Sequence, residues 1–124
     1  MSLADLTAAD WHERAAKLKY ETRHFIDGTF VDSVKGGRLT VINPATARPL
    51  CEVSAGDAAD IDRAVASAKR CFQSRQWSRM APRERMGVMA RLSALVDAHA
   101  ESLALLDTLC MGKPVRDMLN IDIP

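Results

Sequence analysis

No run of apolar residues in this chain approaches the ~18 needed to cross a bilayer, so no membrane span is expected. Charge of one sign is missing too. Lys and Arg number 17 against 16 Asp and Glu, and a net charge of +1 exerts no general pull toward nucleic acid or anionic membrane. Cysteine is scarce. Cys51, Cys71 and Cys110 are odd in number and form no C-x-x-C pair, which favours buried thiols in a reduced, cytoplasmic setting over a disulfide framework. The first residues, MSLADLTAADWHER, lack the basic-then-apolar order of a secretory signal. No two glycines stand two apart, which removes the dinucleotide fingerprint. His12, His24 and His99 are too scattered for a metal spacing. What is present is a globular composition, 48% apolar and 27% charged, in 124 residues that suit one modest core.

Local signals divide the chain into strands followed by helices. Thr7, with Asp10 three residues on, is a candidate N-cap with its reciprocal acid. Trp11, Ala15, Leu18 and Thr22 then recur at helical spacing. In HFIDGTFV, residues 24–31, an Asp-Gly pair between β-rich arms predicts a hairpin, because both loop positions need positive φ. Gly36-Gly37 turns the chain again, and two further strands, 39–42 and 50–53, flank the turn Asn43-Pro44-Ala45-Thr46. From Asp57, a second candidate N-cap, the period becomes helical, with Ile61, Val65, Ala68 and Phe72 on one face. Pro82 suits the first turn of the next helix, striped by Met86, Met89, Leu92 and Val96. His99 marks its end, in a left-handed conformation. Leu103, Leu106 and Cys110 form a third stripe, which Gly112 and Pro114 terminate. The segment VRDMLNIDIP begins one more helical pattern. With strands too short to bury both faces and a last helix cut in mid-pattern, the expected architecture is one edge of a larger α/β domain.

Candidate chemistry is thin. A phosphate loop requires G-x-x-x-x-G-K-[ST], so that backbone N–H groups cradle phosphate and a hydroxyl holds magnesium. Here Pro114 follows Gly112-Lys113 and Asp107 stands five before Gly112, so "LCMGKP" reads as a helix stop. Cys110 near a helix C-terminus sits where the dipole disfavours a thiolate, and a buried helix-face thiol is the expected state for all three cysteines. Met80, Met86, Met89, Met111 and Met118 read as core filler, and His12 as solvent-facing. Between Lys69 and Arg91 seven basic residues accompany one acid, Glu84, and two helices near Trp77 could imitate a helix-turn-helix. The alternative function is therefore a stand-alone module contacting nucleic acid through 69–91. Against it, the joining segment contains proline and exceeds the 3–4-residue turn of that motif.

As an ordered set, FIDGTFV, VINPATARPLCEV, DIDRAVASAKRCF, a tryptophan and LLDTLCMGKP resemble the N-terminal part of the aldehyde dehydrogenase superfamily, from about Trp11 to Pro124. Among its subgroups the chain looks most like bacterial enzymes for ω-amino aldehydes such as γ-glutamyl-γ-aminobutyraldehyde from putrescine breakdown. The resemblance implies the N-terminal part of that α/β fold, with short β-hairpins followed by amphipathic helices that pack on a coenzyme-binding domain absent here. It divides the chain into an N-terminal helix, 1–23, and a partial N-terminal domain, 24–124. It also implies oxidation of an aldehyde to the acid with NAD or NADP, in a homodimer or homotetramer with no nucleic-acid or membrane partner. Nucleophile, base and cofactor loops lie downstream of the matched region in that family, so no catalytic, cofactor or metal residue is assigned, and the chain alone is expected to bind no cofactor. Val41 and Ile42 fall where some members offer carbonyls to a structural cation, but Cys110 replaces the carboxylate that completes that site. Asp122 falls in the helix bordering the substrate tunnel and is the one candidate substrate residue, a carboxylate able to attract an ammonium group.

Overall fold

The computed structural model describes residues 3–124; Met1 and Ser2, where the N-terminal segment 1–23 begins, lie outside the described residues. A short 3-10 turn, Leu3–Asp5, precedes helix α1, Ala8–Lys17. Strands β1 (His24–Ile26), β2 (Thr29–Val31), β3 (Arg38–Asn43) and β4 (Arg48–Ser54) follow, then helices α2 (Ala58–Ser74), α3 (Pro82–Ala98), α4 (Ala100–Met111) and α5 (Val115–Asp117). Helix α5 runs straight into a π-helical turn, Met118–Asp122. The strands form two separate pairs, β1 with β2 and β3 with β4. The chain divides into two compact units, one of Met1–Tyr20, Ile42–Leu50 and Arg91–Pro124, the other of Glu21–Val41 and Cys51–Ala90.

Short-range chemistry explains most boundaries. Thr7 Oγ1 accepts the Asp10 N–H at 3.3 Å while Asp10 Oδ2 accepts the Thr7 N–H at 2.8 Å, closing a capping box that starts α1. That helix ends at Lys17, because Leu18 turns to an extended ψ of 130°. The helical stripe expected through Thr22 therefore stops short, and the Thr22 carbonyl instead accepts the Ser54 N–H at 2.8 Å. Asp27 and Gly28 take φ of 55° and 76°, the two left-handed positions the hairpin needs, and set the register His24↔Val31, Phe25↔Phe30, Ile26↔Thr29. The paired rings of Phe25 and Phe30 lie 5.1 Å apart. Asp57 caps α2 through the Ala59 and Asp60 N–H groups, at 2.8 and 3.3 Å. Pro82 is the first residue of α3. Gly112, at φ 78°, receives α4 in the left-handed conformation.

Burial departs from the expected pattern. In the first unit the buried apolar residues are Ala104, Leu105 and Met118, whereas Leu103 and Cys110 are exposed and Leu106 is only half-buried. The face of α4 that packs is thus not the stripe 103/106/110. This helix is apolar almost all round, so periodicity alone selects no face. His99 sits at φ −109°, ψ 15°, outside the left-handed region; a one-residue break here suffices, because α4 resumes at Ala100. In the second unit Ile61, Val65 and Phe72 of α2 are exposed, Phe72 at 82%, and Met86 and Met89 of α3 are exposed as well. Of the five methionines expected in a core, Met118 is buried and Met86, Met89 and Met111 are not. The amphipathic pattern is real, but these side chains find no cover in the described residues.

Candidate functional site

Asp122 closes the π-helical turn after α5 and forms an ion pair with Lys113. The pairing follows from the stop at Gly112. Its positive φ ends α4, Pro114 begins the next turn, and Lys113 between them is carried against the end of the chain's last helical turn. Both side chains are more than a third exposed, so water screens the pair and a bound cation would compete for Asp122 with a residue of the same chain. A methyl group on Gly112 would approach Pro44 Cγ to 3.1 Å, so glycine serves both the turn and the contact.

Helices α1, α4 and α5 of the same unit, with the π turn, line a half-open cavity of ≈ 800 Å³. Its wall is mostly apolar, with Trp11 from α1, Leu105 and Leu109 from α4 and Leu119 from the π turn, and its polar members are His12, Thr108, Arg116 and Asn120. An Arg14–Glu101 ion pair joins α1 to α4. His12 is exposed, as its place on α1 predicts.

A second polar cluster lies in the other unit. Asp60 is 2% exposed, and its carboxylate accepts from Ser33 Oγ at 2.9 Å, the Val34 N–H at 3.1 Å and the Asp57 N–H at 3.2 Å. Burial pushes the Asp60 carboxyl up, but those hydrogen bonds and the nearby charge of His24 outweigh it and hold the group below its usual range. Asp57, paired with Lys35 at 3.2 Å, follows the same logic: burial raises it, while Lys35 and the Ala59 and Asp60 N–H groups bring it down further. Sequence reading identified Asp57 as a cap and missed Asp60. The available signal was an acid at the third helical position, where a reciprocal cap belongs. Every hydrogen bond of the cluster serves backbone or loop anchoring, which marks it as structural.

The cysteines depart from the buried thiols expected. Cys51 in β4 is half-buried, Cys71 and Cys110 are exposed, and none is in a disulfide. Cys110 lies one residue before the end of α4, so the helix-stop reading of "LCMGKP" holds and a phosphate loop is excluded. Val41 and Ile42 lie in β3, and among the described residues no three His, Cys, Asp or Glu side chains converge as a metal site. The basic stretch 69–91 spans the end of α2, a seven-residue link from 75 to 81, and the start of α3. That link is too long for a helix-turn-helix, Arg70 is paired with Asp27 at 2.8 Å, and Arg85 donates to the Met80 carbonyl at 2.7 Å. No helix among the described residues is long and apolar enough to cross a membrane.

Residues 30–124 match the aldehyde dehydrogenase family. The chain belongs to that family. It is 40% identical over 116 residues to the NADP/NAD-dependent aldehyde dehydrogenase PuuC of Escherichia coli K12, covering 94% of this chain and 23% of PuuC. A solved P. syringae indole-3-acetaldehyde dehydrogenase, in complex with NAD+ and IAA, is 48% identical with a TM-score of 0.91, over 96% of this chain and 24% of that one. The γ-glutamyl-γ-aminobutyraldehyde dehydrogenase of Burkholderia cenocepacia J2315 is 40% identical with a TM-score of 0.92, again over 96% and 24%. The fold is accordingly the N-terminal part of the aldehyde dehydrogenase fold, and the chain spans about a quarter of the length of these relatives.

Proposed function

We propose that this chain supplies the N-terminal part of an NAD(P)-dependent aldehyde dehydrogenase that oxidises an aldehyde, specifically an ω-amino aldehyde, to its carboxylic acid. The observation that carries the reading is the similarity, over nearly the whole chain, to PuuC and to a γ-glutamyl-γ-aminobutyraldehyde dehydrogenase. An aminoacetaldehyde dehydrogenase of Pseudomonas aeruginosa, 39% identical over 119 residues, supports the amino-aldehyde class. The division into an N-terminal helix, 1–23, and a partial domain, 24–124, belongs to the same reading, as do a cytoplasmic setting, a homodimeric or homotetrameric enzyme and a role in putrescine breakdown.

In this class a cysteine thiolate attacks the aldehyde, the oxyanion is held by hydrogen-bond donors, and a glutamate-activated water releases the acid. When bound, the nicotinamide accepts the hydride. The 124 residues here contribute no nucleophile or base to that sequence, and the chain alone is inactive. Asp122 is the residue through which it touches selectivity: its carboxylate attracts a substrate ammonium once Lys113 is displaced.

The reading is tested by a chimera in which residues 1–124 replace the corresponding segment of PuuC. A folded chimera that oxidises γ-aminobutyraldehyde with NAD+ supports it, and a folded but inactive chimera overturns it. NADH formation by the 124-residue chain alone would overturn the inactivity.

A further inference from the structure

The cavity between α1, α4 and α5 has a chemistry of its own. At ≈ 800 Å³ it falls within the range of small-molecule sites, roughly 300–1,000 Å³. Such sites pair an apolar wall with a few polar groups that fix orientation. Here the apolar wall is Trp11, Leu105, Leu109 and Leu119, and the polar groups are not neutral on balance: Arg116 is cationic, His12, Asn120 and Thr108 can donate hydrogen bonds, and no Asp or Glu side chain among the described residues lines the space. Thr108 adds an independent observation. Its Oγ1 is buried and has no hydrogen-bond partner, and an orphaned buried hydroxyl costs free energy unless a ligand or water satisfies it. Arg116 is 83% exposed at its side chain and contacts Asp117 through Nε at 3.5 Å, the outer limit of a hydrogen bond, so its guanidinium is available to a stronger anion. Asp122 does not line this cavity, although Leu119 and Asn120 of the same turn do.

We propose that this cavity binds a small amphipathic monocarboxylate, its aromatic or aliphatic body against Trp11, Leu105, Leu109 and Leu119 and its carboxylate at Arg116. The assignment does not depend on the dehydrogenase reading. No covalent step is involved; the ligand is held by burial of apolar surface and one charge-assisted contact.

The test uses the chain labelled with 5-fluorotryptophan and read by 19F NMR. The two tryptophan signals are assigned with Trp11→Phe, and Trp77 serves as an internal reference. Phenylacetate, 2-phenylethanol and phenethylammonium are titrated in turn. The expected result is a saturable shift at Trp11 but not Trp77, with phenylacetate binding about threefold more tightly than the alcohol and the ammonium weakest of all, the gain an exposed charge pair supplies. Arg116→Gln should remove the preference of carboxylate over alcohol, and Ala15→Phe, which fills the cavity, should abolish both shifts. Because Arg116 is exposed, its replacement leaves the fold intact, which an unchanged circular dichroism melt verifies. Equal affinity for anion and cation, a carboxylate preference that survives Arg116→Gln, or no saturable shift at Trp11 in the folded chain each overturns the proposal.

Discussion

The two units bury different chemistry. Around α4 the buried residues are apolar, Ala104, Leu105 and Met118, whereas in the unit of 21–41 and 51–90 they are polar, Ser33, Ser54 and Asp60. The first unit coheres by removing hydrocarbon from water, a force without direction that tolerates changes of shape. The second is pinned by hydrogen bonds that span long sequence separations, Ser33 and Val34 to Asp60, while its apolar faces on α2 and α3 stay exposed. A directional network buried among little else fails when a single partner is lost, because the remaining groups stay dehydrated and unsatisfied. The contrast lies in what each unit buries, since both present large apolar side chains outward, Leu92, Leu95 and Met111 in the first and Ile61, Val65 and Phe72 in the second.

The contrast is broken most strongly at Leu105, 4% exposed in the first unit. Leu105→Ala should cost about 2–4 kcal/mol in urea unfolding, the loss expected for a buried leucine, while the amide of Val34 keeps its hydrogen-exchange protection. Next in size is Asp60→Ala. It should lower Tm by about 5 °C or more and release exchange at Val34 and in the first turn of α2, leaving the amides of α4 protected. Unchanged protection at Val34 would remove Asp60 from its anchoring role.

Acid should act on the polar unit through the same carboxyls. Asp57 and Asp60 titrate below their ordinary value in the folded chain, so the stability they contribute is present above about pH 4 and is lost as pH falls through their folded values. Glu21, held at about 2 by the bidentate Arg23 contact, acts in the same direction. Thermal melts at neutral and acidic pH should therefore converge for wild type and Asp60→Asn as the pH falls, and parallel curves would refute the linkage. A smaller effect is expected at the helix stop. Gly112→Ala forces an alanine to φ 78° against Pro44 and should cost about 1 kcal/mol or more in the same urea experiment. The smallest is Lys113→Met, which breaks a half-exposed pair and should change stability by less than about 1 kcal/mol; a larger loss would mean that the pair is structural.

Legibility followed range. The hairpin at Asp27-Gly28, the caps at Thr7 and Asp57 and the stop at Gly112 were all readable because each is decided within three or four residues, by positive φ or by an orphan N–H. The ordered motifs also carried the family. The same reading placed Leu103, Leu106 and Cys110 on the packed face of α4 and assigned three buried thiols, and both were wrong. Asp122 was named from resemblance, yet its Lys113 partner was not visible, since a turn of unknown direction separates them.

By itself, then, the order of residues determined where most elements begin and where α4 ends, because caps, turns and breakers act on the backbone groups nearest to them. Only the tertiary structure decided which face of a mostly apolar helix is covered, that Asp60 would be the buried carboxylate, and that α1, α4 and α5 would leave a largely apolar cavity between them. Those outcomes depend on which distant segments meet, and a short stretch of sequence carries no force that reaches so far.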